Sequence, residues 1–409
     1  MIQELWIRFL KWKGAIMVSL LSRVCSTLLI LPLMFLSAGA DEPAKSKSRI
    51  AAALEPFVKD HTLAGAVTLV ADKDKTLSLE AVGFADIAAG IMMTVNNLFW
   101  IASQSKPITA VALMMLVDEG KVGLDDPVQK FLPEFADLWL VEKREKDRLV
   151  LKRPQHPITV REILSHTSGL PFSSAMERPT LDLLPLRDAV RSYAMTPLLF
   201  EPGTKYQYSN AGINTAGRII EVVSRMPYEE FLDKRLFGPL GMKDTTFWPN
   251  AEQLKRLAKA YRPSKSGGLD EIPIGQLKYP LNDRKRQPMP AGGLFSTAKD
   301  VGIFCQMMLN GGTYKGKRYL SEDAVKQMTS KQTGSGIQVG YGLGFSTGGG
   351  NFGHGGAFST NMNIDTKRGL ITVFMVQHAG FPGNGGQSQG AFRKVAEELF
   401  GPGAKKNMP

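Results

Sequence analysis

Strand-favouring residues gather at the two ends of this chain, and helical periodicity fills the middle. Near the start, 65–71 and 76–84 are rich in β-branched and aromatic residues and flank Asp72-Lys73-Asp74-Lys75, the composition of a hairpin turn. Near the end, 340–345, 351–364 and 370–378 have the same texture, the last two joined across 365–369. Between them, 159–168, 182–193, 211–224 and 297–310 show apolar residues at helical spacing. A first helix is marked by Ile50, Leu54 and Phe57, and a terminal one runs over about 388–400. A second hairpin is expected over 138–152, and a Gly-, Pro- and charge-rich surface loop over 264–290. The economical arrangement is α+β. Both ends pair into one antiparallel sheet flanked by helices, the sheet subdomain taking about 49–100 and 291–400. A mostly helical subdomain of about 101–290 lies beside it, with a cleft between the two.

At the junction stands Trp100-Ile101-Ala102-Ser103-Gln104-Ser105-Lys106-Pro107. Ile108, Val111, Ala112, Met115 and Leu116 put an apolar stripe on the helix that follows, and Gly120 is a suitable stop. Proline costs a helix little only in its first turn, so Pro107 sets the start at or just before Ser103. The Ser103 hydroxyl then lies at the positive end of the helix dipole, with Lys106 three residues on over the same face. A serine needs a base to become a nucleophile, and a lysine serves when burial lowers its pKa. Alone, the spacing also describes an N-cap serine and a solvated first-turn lysine.

The first forty residues read as a targeting segment: Arg23, an apolar run from Leu28 to Leu36, then Ala38-Gly39-Ala40. Cleavage is expected after Ala40, in an exported, periplasmic or extracellular protein, with translation starting at Met1 or Met17. Residues 41–48 form a polar leader and 401–409 a tail. Losing 1–40 removes four cations and one anion, so the net charge falls from +12 to +9. The basic clusters at 143–153, 255–265 and 284–286 do not interleave with aromatics, which argues against nucleic acid. They read as solvated surface, with peripheral attachment to an anionic envelope as a second reading. Cys305 is the one cysteine beyond the leader, so no internal disulfide forms, and its helical setting suggests an inert buried thiol.

Two further short motifs follow in order. Tyr208-Ser209-Asn210 comes after the turn Glu201-Pro202-Gly203-Thr204 and before a helix, and His354-Gly355-Gly356 falls in the last β region. With Ser103-x-x-Lys106 they resemble the motif set of the class C β-lactamase and penicillin-binding-protein-like serine hydrolases. That group includes the family VIII carboxylesterases and the D-stereospecific carboxypeptidases and aminopeptidases. Leu164-Ser165-His166-Thr167-Ser168-Gly169-Leu170, Pro239-Leu240-Gly241-Met242 and Ala291-Gly292-Gly293-Leu294-Phe295-Ser296-Thr297 extend the resemblance over roughly 48–400. It implies an acyl-enzyme on Ser103, with Lys106 and Tyr208 sharing acid and base work. It also implies Asn210 on the substrate's acyl side, and an oxyanion hole from the N–H groups of Ser103 and of Ala357, just after Gly355-Gly356. The substrate class is a small ester, amide or peptidoglycan-like molecule, with neither cofactor nor metal.

β-Lactamases of the group carry Lys-Thr-Gly at the third motif. His354 and Gly355 offer a weaker grip on a substrate carboxylate, so ester hydrolysis should exceed β-lactam hydrolysis. Protonation of His354 below about pH 6.5 would restore part of that grip. His166 reads as mostly structural, and His378 has no assignable role. Gly386-Gln387-Ser388-Gln389-Gly390 matches a nucleophile elbow, but neither aspartate nor histidine follows it. Five scattered histidines form no metal-ligand spacing. The reading from another class is a catalytically silent scaffold that binds peptidoglycan or a partner.

Overall fold

The computed structural model describes residues 48–403, and in it the two ends of the chain meet in a seven-stranded antiparallel sheet. Its strands, in chain order, are β1 (Gly65–Ala71), β2 (Thr76–Asp86), β3 (Ile91–Met92), β4 (Ser346–Gly348), β5 (Asn351–Gly355), β6 (Asn361–Asp365) and β7 (Leu370–Met375). The spatial order is β4-β5-β6-β7-β1-β2-β3, so the seam between the chain ends is β7 against β1, Val67 facing Met375 and Ala71 facing Ile371. β1 is buried along its whole length. Ala66 and Val70 pack on one face, while Val67, Leu69 and Ala71 pack on the other. Apolar residues at every position suit a central strand covered on both sides.

The helices used below are α1 (Arg49–Lys59), α2 (Ser105–Asp118), α3 (Val160–Ser165), α4 (Leu186–Ala194), α5 (Asn210–Ser224), α6 (Ala298–Leu309), α7 (Glu322–Thr329) and α8 (Ser388–Phe400). α1 and α8 cover one face of the sheet through Ile50, Leu54, Phe57, Phe392 and Ala396. α6 covers the other, and Gly302 lets it approach: a β-carbon there would fall 2.8 Å from Leu69 Cδ1. The helical section, with α2 through α5, joins the same core.

Several expectations are corrected. α2 is buried on every side from Ser105 to Leu116 rather than along one stripe, because it lies at the centre of the helical section and Ala110, Leu113 and Met114 are apolar too. α4 starts four residues later than its periodicity suggests, behind Pro185. Residues 340–345 form no strand; Gly342 and Gly344 instead let the chain cross α7 and α2, closer than β-carbons would allow. α7 and the helical turns over 228–240 were not foreseen.

The stretch 264–290 is not merely a surface loop. A strand pair, Ala260–Pro263 with Leu269–Ile272, opens it, and Leu277, Leu281 and Met289 are buried. Arg286, expected at the surface, is 1% exposed and donates Nε to Asp182 Oδ2 at 2.7 Å. Its Nη1 donates to the carbonyls of both Phe247 and Leu281. A buried charge is tolerated only when paired and fully hydrogen-bonded, and removing one partner of such a pair typically costs about 3–5 kcal/mol. This clamp fixes the segment that enters the site at Ala291. The targeting segment, the polar leader up to residue 47 and the tail past 403 lie outside the described residues.

Candidate active site

Ser103 stands at the foot of α2 on a single 3-10 turn, Ala102–Gln104. The residue before it, Ala102, has φ +46°, a left-handed conformation that costs a residue with a β-carbon about 1–2 kcal/mol. Neighbours hold this bend. Ser105 Oγ donates to Ala102 O at 2.7 Å, Ile101 N–H donates to Leu294 O at 3.0 Å, and Trp100 Nε1 donates to Gly292 O at 2.7 Å. Strain stored on the residue before a half-buried serine is a common mark of a functional position.

Lys106 is fully buried, with Nζ 3.0 Å from Ser103 Oγ and 2.7 Å from the carbonyl of Ala291. Burial lowers its pKa well below the ordinary lysine value. A neutral amine can donate to Ala291 O and turn its lone pair toward the serine hydroxyl. Ala291 is itself held: its N–H donates to Asn214 Oδ1, whose Nδ2 donates to Tyr193 Oη, which in turn donates to Glu177 Oε1. This brace runs from a buried carboxylate to the carbonyl on Lys106, and no short motif announces it.

The Tyr208 ring lies 4.6 Å from Lys106 Nζ. Burial pushes its phenol pKa up, opposed by a contact with Ser103, so the hydroxyl keeps its proton at neutral pH. Tyr208 precedes the N-cap of α5, where Ser209 Oγ accepts from Gly212 N–H. Asn210 opens that helix and is buried, and its Oδ1 has no partner among the described residues. Phe172 flanks this corner, its carbonyl taking the N–H groups of Asn210 and Ala211 and its ring stacked 6.4 Å from that of Tyr208. The Phe172 side chain is nevertheless 46% exposed, an apolar surface at the mouth of the site.

His354 is the penultimate residue of β5, beside the same cluster. Gly356 lets the strand end pass close to the bend before Ser103: a β-carbon there would lie 2.5 Å from Ile101 O. The Ala357 N–H, one residue on, donates to no protein acceptor among the described residues. One expectation fails here. Both His354 nitrogens are occupied, Nε2 by Tyr341 Oη at 3.1 Å and Nδ1 by Gly355 O at 2.6 Å. Burial and the nearby Lys106 hold its pKa down at about 3, so protonation near pH 6.5 cannot supply a grip on a carboxylate.

Ser388 is buried at the start of α8 and donates Oγ to Gly385 O at 2.7 Å. Cys305 is buried, with its thiol pKa raised by burial. No group of three or more potential ligands that could hold a metal occurs among the described residues, nor any helix long and apolar enough to cross a membrane.

The family described as Beta-lactamase matches residues 50–391. This chain belongs to it. Protein Rv1367c of Mycobacterium tuberculosis is 32% identical over 354 residues, 77% of this chain and 86% of that protein. Esterase EstB of Burkholderia gladioli is 34% identical over 219 residues, about half of each chain (50% and 53%). Among solved structures, EstCE1, a hydrolase with promiscuous acyltransferase activity, superposes with a TM-score of 0.72 at 24% identity over 85% of this chain and 97% of that one. The last likeness shows the shared fold: a large antiparallel sheet flanked by helices. In this Beta-lactamase member Ser103, Lys106, Tyr208, Asn210 and the end of β5 come together, while Ser388 stays apart.

Proposed function

We propose that the chain is an exported serine hydrolase that forms an acyl-enzyme on Ser103 and acts on small esters. The observation that carries this is the fully buried Lys106 amine 3.0 Å from the Ser103 hydroxyl. Neutral Lys106 takes the hydroxyl proton as Oγ bonds to the substrate carbonyl carbon. The carbonyl oxygen becomes an oxyanion, received by the N–H groups of Ser103 and Ala357; in comparable hydrolases such a donor is worth about 2.7–4 kcal/mol. Collapse breaks the ester C–O bond, and the departing alkoxide takes a proton from protonated Lys106 by way of the Tyr208 hydroxyl. Water then repeats the sequence on the acyl-enzyme, releasing the acid and restoring Ser103.

Esters stand ahead of β-lactams because the third motif offers no cation. Losing a charge-assisted hydrogen bond costs roughly 1.5–3 kcal/mol, about one to two decades in rate. The exposed Phe172 ring beside Tyr208 favours an apolar acyl or alcohol group. The free Asn210 Oδ1 favours, as a second reading, a D-amino-acid amide or peptide that presents an N–H there.

Ser103→Ala should abolish p-nitrophenyl butyrate hydrolysis and labelling by a fluorophosphonate, while Ser388→Ala keeps both. Equal losses in two folded variants would remove the assignment, and a folded wild-type chain that neither labels nor turns over would support the silent scaffold. Export rests on residues 1–40 alone; N-terminal sequencing of envelope protein should begin at Asp41, and a chain beginning at Met1 or Met17 would contradict it.

A further inference from the structure

Behind the catalytic cluster, four hydrogen bonds join two histidines and a tyrosine in a line. Ser209 N–H donates to His166 Nδ1 at 3.2 Å. His166 Nε2 meets Tyr341 Oη at 3.2 Å, Tyr341 Oη meets His354 Nε2 at 3.1 Å, and His354 Nδ1 meets Gly355 O at 2.6 Å. His166, Tyr341 and His354 are all buried.

The two ends of the line fix its direction independently. A backbone N–H can only donate, so His166 Nδ1 is an acceptor and a neutral ring carries its proton on Nε2. That proton points at Tyr341 Oη, which must turn its own hydrogen toward His354. At the far end a carbonyl can only accept, so His354 carries its proton on Nδ1 and leaves Nε2 as the acceptor the tyrosine needs. Each donor has an acceptor and each acceptor a donor. An extra proton on either imidazole sets two donors against each other at a buried site. The groups facing the rings add no counter-charge. Tyr206, Tyr208 and Tyr341 surround His166, Tyr208 and Tyr341 surround His354, and the one other basic group acting on both is the Lys106 amine, which in either protonation state offers them no negative charge. No carboxylate among the described residues pairs with either ring.

Resting on the proposed acyl-enzyme reading, we propose that His166, Tyr341 and His354 form a neutral, one-directional relay that locks the Tyr208–Asn210 loop to the end of β5. Through it His166 and Tyr341 act as positioning residues for the oxyanion donor at Ala357. The mechanical link is short. The peptide between Gly355 and Gly356 is held at both ends, its carbonyl by His354 Nδ1 and its N–H by Thr360 O at 2.8 Å. The next peptide carries the Ala357 N–H. At the other end, the anchored Ser209 N–H sits between Tyr208 and Asn210. His354, on this account, orients backbone instead of gripping substrate.

The direct test needs no turnover. Long-range proton–nitrogen correlation spectra of the full chain labelled with 15N-histidine, its five histidines assigned by single substitution, report each tautomer. His166 should be protonated on Nε2 and His354 on Nδ1, and neither should titrate between about pH 5 and 8, the range that brackets a free histidine. The opposite tautomer on either ring, or an imidazolium forming in that range, overturns the relay. In Tyr341→Phe, checked for folding by circular dichroism, kcat for p-nitrophenyl butyrate should fall on the order of 10-fold to 100-fold, as for a small misplacement of catalytic groups. KM should hold, and labelling of Ser103 should slow without disappearing. A folded Tyr341→Phe with wild-type kcat overturns the positioning role even if the tautomers are as stated. If wild type neither labels nor turns over, the acyl-enzyme reading fails while the tautomer result stands on its own.

Discussion

At the scale of single residues, the site separates two groups that the sequence leaves sharing one task. Burial moves Lys106 and Tyr208 in opposite chemical directions: the lysine loses its proton more readily, the tyrosine holds its own more tightly. On the proposed acyl-enzyme reading the lysine is therefore the base and the tyrosine the proton carrier. This gives a sign for the pH profile. Only the neutral amine can take the Ser103 proton, so kcat/KM should fall as pH falls through the lowered pKa of Lys106. His354, neutral down to about pH 3, should not contribute to that limb. Lys106→Arg keeps a cation that does not deprotonate, and the rate should drop by roughly 10²–10⁴, the usual worth of a positioned general base. The check is the profile of p-nitrophenyl butyrate hydrolysis for wild type, Lys106→Arg and His354→Asn. An acid limb that disappears in His354→Asn while Lys106→Arg stays active would reverse the assignment.

At the scale of elements, what could be read from the sequence and what could not divide along one physical line. Periodicity and turn chemistry are local, and they placed α1, α6, α8, the hairpin of β1 and β2, and the pairing of the chain ends. Helix-start spacing singles out Ser103 and Lys106, because a serine nucleophile needs a base within one turn, whereas Tyr208, Asn210 and His354 are marked by the resemblance of their short motifs to the family's. The supports are non-local and carry no periodic signal. Glu177, Tyr193 and Asn214 come from separate segments of the helical section, and their chain of hydrogen bonds ends on the Ala291 peptide 77 positions beyond Asn214. Tyr341 looked like part of a strand, but the glycines around it serve close crossings instead. Arg286 stood in a basic cluster, and nothing local told that it pairs with Asp182 across 104 positions. The phrase Ala291-Gly292-Gly293 was a signal for Lys106's acceptor that could have been used. Repeated small residues next to a proline suggest close backbone approach, and here the Ala291 and Gly292 carbonyls face Lys106 and Trp100.

At the scale of the whole molecule, the seam where the chain ends meet carries its own titratable group. His378 follows β7, is fully buried, and accepts the Ala64 N–H on Nε2 at 3.1 Å just before β1 begins. Its ring stacks on Phe381 at 4.7 Å, and the residue before it bonds the strand pair at Tyr261. Burial holds its pKa down at about 4, against an ordinary 6.5. The sign follows from proton counting. Below pH 6.5 the unfolded chain takes up a proton that the folded chain refuses, so stability falls as pH falls, and the loss continues to about pH 4. One such group contributes at most about 1.4 kcal/mol per pH unit. Asp300 works the other way: burial raises it to about 6, and it gains a proton first in the folded state. The absolute acid slope therefore mixes both, and the informative quantity is a difference. His378→Gln keeps an acceptor for Ala64 N–H and removes the titration. Urea unfolding across the interval from pH 4 to 6.5 should show a shallower loss of stability for this variant than for wild type, with ester hydrolysis at neutral pH unchanged, because His378 lies outside the catalytic cluster. Parallel stability curves would mean that His378 is not held neutral at the seam, and the closure of the sheet would have to rest on the β7–β1 ladder alone.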